Sequence, residues 1–81
     1  MEKKIKALLR LKMEHKGTTC FFGGSDGLYT VVEKDADLMN SAFRIPVAVT
    51  TTGKKYAVVT RNIVDSLLYN GMKRMLILNM W

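Results

Sequence analysis

The sequence predicts an α+β fold. The expected architecture is a two-layer sandwich: a mixed, mostly antiparallel sheet of about five strands with two main helices on one face, in the order α-β-β-(α)-β-β-α-β. Three observations predict it. Residues 55–81 read as strand, short helix, strand, so a crossover connection closes the chain. Met75 to Leu78 is apolar without alternation, which predicts a strand covered on both faces and places this C-terminal strand centrally. Glycine-marked turns at 23–27 and at 52–54 separate short segments rich in β-branched and aromatic residues.

Residues 2–16 are rich in Lys, Leu, Glu and Arg and predict a helix, ended by Gly17 in a left-handed conformation. At about 100° per residue, Met1, Ile5, Leu8, Leu9 and Leu11 fall on one side. Lys3, Lys6 and Arg10 fall together on the other, at spacings of three and four. Lys12 and Lys16 lie near the apolar side, where their stems can run along it. Residues 18–22 and 28–33 predict a hairpin around the Gly-Gly-Ser-Asp-Gly turn. Asp35 reads as the N-cap of a short helix over 36–42.

Residues 45–51 predict a third strand, begun or edged by Pro46, and 55–60 a fourth. The turn between them presents Lys54 and Lys55. Asn62 reads as the N-cap of a helix with Asp65 in its first turn, Ile63, Val64, Leu67 and Leu68 on its buried face, and Gly71 at its end.

Eighty-one residues predict one domain, residues 1–81. A chain this short hides only about 60% of its unfolded surface and is marginally stable. Cys20 is the only cysteine and His15 the only histidine, which excludes a disulfide framework or a four-ligand Cys/His zinc site. An unpaired cysteine, a charged N-terminal region and the lack of a bilayer-length apolar run predict a cytoplasmic protein without a membrane partner.

The net charge of +6 is uneven: +4 over residues 1–16, −2 over 17–53 and +4 over 54–81. Basic ends attract polyanions. The candidate nucleic-acid-binding residues are Lys3, Lys6, Arg10, Lys54, Lys55, Arg61, Lys73 and Arg74, acting on the phosphate backbone by charge. Tyr56, beside two lysines, is the favoured stacking residue over Tyr29 and Tyr69. Each has an ordinary reading beside it: a solvated helix face, lysines that keep a hairpin tip from aggregating, and aromatics that fill the core. Trp81 reads as a core plug or an interface residue.

Chemistry is poorly supported. Gly24 to Gly27 has G-x-x-G spacing but lies between strands and carries Asp26, which repels phosphate. Asp35 and Asp37 lack the third ligand and glycine of a calcium loop. One cysteine and one histidine on separate elements make a poor nucleophile and base. A non-catalytic protein with no cofactor is expected. The other reading is a protein-binding module, as an inhibitor, adaptor or regulatory subunit, in which a partner or a second copy in a homodimer covers apolar surface. It rests on an apolar content of 48% in so short a chain.

Overall fold

In the computed structural model, which describes residues 2–80, three helices and five strands alternate. They are α1 (Glu2–Met13), β1 (Thr19–Gly23), β2 (Leu28–Val32), α2 (Lys34–Phe43), β3 (Ala48–Val49), β4 (Lys55–Thr60), α3 (Arg61–Tyr69) and β5 (Met75–Leu78). The strands form one mixed sheet in the order β3-β4-β2-β1-β5. β1–β2, β2–β4 and β3–β4 are antiparallel, and β5 runs parallel to β1. This is the expected α+β fold. Residues Met1 and Trp81, assigned above to the apolar side of the first helix and to a core plug or interface, lie outside the described residues.

Strand alternation splits the apolar residues into two cores. Phe21, Tyr29, Val31, Ala57 and Val59 face α2 and α3, where Ala36, Met39 and Val64 meet them. Cys20, Phe22 and Val32 face the opposite way, against Ile5 and Leu8 of α1. The sheet and the α2–α3 pair thus form the sandwich, while α1 does not join that pair but covers the other face. Phe21 and Phe22 are both fully buried, one in each core. Each contributes about 2–3 kcal/mol of hydrophobic stabilisation.

Two placements differ from the sequence reading. The two main helices, α1 and α3, do not share a face: strand alternation leaves apolar side chains on both sides of the sheet, and α1 covers one while α3, with α2, covers the other. The C-terminal strand is not central: β5 is an edge, paired only with β1. Its side chains do divide between the two cores, Met75 and Ile77 on one side and Leu76 and Leu78 on the other. A continuous apolar run reports covered faces, and these are compatible with an open edge. β4 and β5 point the same way, but β2 and β1 lie between them.

Smaller differences follow from local hydrogen bonding. α1 ends at Met13 because Glu14 and His15 N–H groups donate to carbonyls three residues back, tightening the last turn before Gly17 (φ 80°). β3 is two residues long. α2 starts at Lys34, with Glu33 as its cap at φ 50° and no side-chain capping bond. Asp35 is turned into the protein instead. α3 likewise starts at Arg61, one residue before the expected Asn62 cap. Among the described residues no helix is long and apolar enough to cross a membrane.

Candidate nucleic-acid interface

The outward side of α1 is built as its helical spacing dictates. With Ile5 and Leu8 buried beneath, Lys3, Lys6 and Arg10 are exposed and line a shallow depression with Ala7. Lys6 also lines a second concavity of about 300 Å³ with Glu2, Ile5, Leu9, Thr52 and Lys54. Leu9 and Lys54 in turn line a larger groove of about 700 Å³ that runs past Lys12, Met13, Lys16 and Lys34. The two concavities share residues and form one channel along α1, with an apolar floor and a lysine rim. Lys6 and Lys54, far apart in sequence, meet there because the β3–β4 hairpin reaches the N-terminal end of α1.

That approach is fixed by Glu2. Its carboxylate accepts hydrogen bonds from the hydroxyls of Thr51 and Thr52 on the hairpin turn. The turn itself is closed by Gly53 N–H donating to the Thr50 carbonyl at 2.9 Å. The bonds to Glu2, Thr51 first, lower its pKa from 4.5 to about 2. A depressed carboxylate pKa stabilises the fold above the ordinary value, and that contribution is lost as pH falls from about 4.5 toward 2. A carboxyl-carbon NMR titration is expected to give Glu2 a midpoint near 2, with the Thr51 and Thr52 signals moving in step. A midpoint near 4.5 would refute the clamp. The group is exposed, so the effect on global stability is small.

Beneath the groove lies a more buried pair. Lys12 Nζ is 2.9 Å from Asp35 Oδ2, with the two side chains 18% and 8% exposed. Lys12 also donates to the Thr18 carbonyl, and Asp35 Oδ2 accepts the Cys20 N–H at 3.1 Å. The antiparallel register of β1 and β2 reaches only to Phe22 opposite Thr30. Asp35 therefore takes over a donor that a continued ladder would satisfy. This pair ties together the end of α1, the start of β1 and the start of α2. Around the channel five lysines face three carboxylates, and Asp35 among these is neutralised by Lys12.

The remaining candidates lie elsewhere. Lys55 shares the strand face of Ala57 and Val59, opposite to Lys54, and bonds Asp37 at 2.5 Å. That hydrogen bond raises its pKa. Tyr56 is half-buried, packed against the core beneath α1. Arg61 bonds Asp65 at 2.9 Å and the Tyr29 hydroxyl at 2.6 Å, its guanidinium 5.9 Å from the Tyr29 ring centre. Lys73 and Arg74 are exposed before β5. Arg74 lies beside Gly17 at the exit of α1, and its carbonyl accepts the Thr19 N–H at 2.8 Å.

Lys12, Lys16 and Lys34 complete the channel and were not among the sequence candidates. The signal for the first two was present, as lysines on the apolar side of a helix, i and i+4. Lys34 carried none. Comparison of the chain with family models, curated proteins and solved structures gave no match.

Proposed function

We propose that this is a small basic nucleic-acid-binding protein that holds the phosphate backbone by charge, along the outer side of α1 and the channel beside it. One observation carries the reading: Lys6 and Lys54 line one concavity, continuous with the groove of Lys16 and Lys34 and flanked by Lys3 and Arg10. Phosphates tracking this strip release their counterions, which gives affinity without sequence preference. Lys55 and Arg61 are spent on intramolecular partners, and Tyr56 on the core. Arg74 extends the strip at the α1 exit, and Lys73 stands next to it in sequence. The proposal is non-catalytic. Cys20 is fully buried, and burial pushes its thiol pKa up, away from a reactive thiolate.

A titration with duplex and single-stranded DNA over a salt series tests this. About four duplex phosphates give a log–log salt slope of roughly −3.6. Lys6→Ala and Lys54→Ala are each expected to reduce the slope by about 1, while Lys55→Ala and Arg61→Ala leave it unchanged. No binding at about 50 mM salt, where phosphate contacts are strongest, would overturn the proposal.

A second reading, a protein-binding module acting as a homodimer, is favoured by one specific feature, the open edge of β5.

A further inference from the structure

We infer that the channel beside α1 holds nucleic acid as a single strand, with phosphates on its lysine rim and bases turned onto an apolar floor of Leu9 and Met13. The inference rests on the phosphate-binding reading and decides which form of nucleic acid that site takes.

Two features of the channel go unused by a duplex. The first is its concavity. The two parts enclose about 700 and 300 Å³, the size of small-molecule sites. A duplex, whose major groove alone is about 12 Å wide, can rest only across the rim. A single strand is narrow enough to lie within. α1 has 12 residues and is about 18 Å long. The channel follows it from Glu2 and continues past its end to Lys16. That length takes about four nucleotides, the short end of single-strand sites.

The second feature is the floor. Leu9 and Met13 stand one turn apart on the same side of α1. Leu9 is half-buried, but Met13 is 66% exposed, an apolar side chain bared to water among lysines. A duplex keeps its base faces stacked within itself, out of reach of such a floor. An unpaired strand has base faces to cover, and a methionine thioether packs well against rings. Lys6, Lys16, Lys34 and Lys54 are exposed around this floor, where the phosphates of a bound strand run. Of the carboxylates nearby, Glu2 is held by Thr51 and Thr52, Asp35 by Lys12, and Glu33 is half-buried at the cap of α2. Charge by itself favours the duplex, which releases more counterions per phosphate neutralised. A preference for single strands therefore has to come from the bases.

Three ligands test the inference at about 50 mM salt, compared per binding site. They are an unstructured mixed-sequence oligonucleotide of about eight nucleotides, an abasic deoxyribose-phosphate strand of the same length, and a blunt duplex. The oligonucleotide is expected to bind at least about fivefold more tightly than either of the others. Met13→Ser, at an exposed position, is expected to lower its affinity by about fivefold. The salt slope stays unchanged, because no phosphate contact is lost, and binding of the abasic strand and the duplex is unaffected. By NMR, the Met13 methyl signal is expected to move upfield under base ring currents with the oligonucleotide and to stay in place with the abasic strand. Equal binding of all three, tighter binding of the duplex, or a Met13→Ser loss shared by the abasic strand would overturn the inference and leave the phosphate reading standing. No binding of any of the three would remove the phosphate reading, and this inference with it.

Discussion

Asp35→Ala is expected to cost about 3–5 kcal/mol, the range for breaking a buried ion pair on one side. Asp35 is 5% exposed and holds two donors, Lys12 Nζ at 2.9 Å and Cys20 N–H at 3.1 Å. Removing it strands a mostly buried ammonium and an unpartnered amide at the junction of α1, β1 and α2. In a chain of 81 residues that is most of the available stability. Urea denaturation followed by circular dichroism reads the loss directly. The double substitution Lys12→Met, Asp35→Asn is expected to recover most of it. The ammonium is then gone, the methionine stem can still pack, and the amide oxygen can still accept the Cys20 N–H. Salt should not diminish the effect, because the pair is shielded from water, unlike the exposed Lys55–Asp37 and Arg61–Asp65 pairs. A single variant within about 1 kcal/mol of wild type would show that Asp35 is not the junction described here.

This residue also marks where sequence reasoning stopped. An aspartate ahead of a helical segment has the composition of a cap, and nothing local distinguishes a side chain that turns outward to its helix from one that turns inward to another strand. The deciding groups, Lys12 and the Cys20 N–H, lie 23 and 15 positions away. The elements were legible because their signals are local: the helical spacing of Ile5 and Leu8, the hairpin glycines and the crossover ending. Strand order was not. The Met75–Leu78 run reported two covered faces, and both a central strand and a terminal strand flanked by helix layers satisfy that.

The candidate site was half legible. The Lys3, Lys6, Arg10 spacing gave the outer side of α1. Strand alternation already separated Lys54 from Lys55, since Lys55 shares parity with the buried Ala57 and Val59. The meeting of Lys54 with Lys6 depends on the Glu2 clamp between helix and hairpin, a contact across 49 positions that no pattern in the chain announces.

Gly24→Ala is expected to cost about 3 kcal/mol, from two sources that add. Gly24 has φ +106°, a conformation that strains any side-chain-bearing residue by about 1–3 kcal/mol. A Cβ there would also stand 2.7 Å from Cε2 of Tyr29 and 2.8 Å from its Cζ and hydroxyl. Whether the ring can yield decides the size of the loss. Tyr29 is 2% exposed and packs in the α2–α3 core, while its hydroxyl accepts a bond from Arg61 at 2.6 Å. Moving the ring therefore disturbs the core and the Arg61 contact together. Gly27 in the same turn is the control. It has φ +78° with nothing within 4 Å of a built Cβ, so Gly27→Ala carries backbone strain alone, about 1 kcal/mol. Urea midpoints of the two variants isolate the contact as their difference, about 2 kcal/mol. Trimming the ring in the double variant Gly24→Ala, Tyr29→Leu should make the alanine cheaper than it is beside tyrosine. Equal losses at the two glycines would mean that the ring gives way freely, and that Tyr29 is not held by Arg61 and the core as its geometry requires.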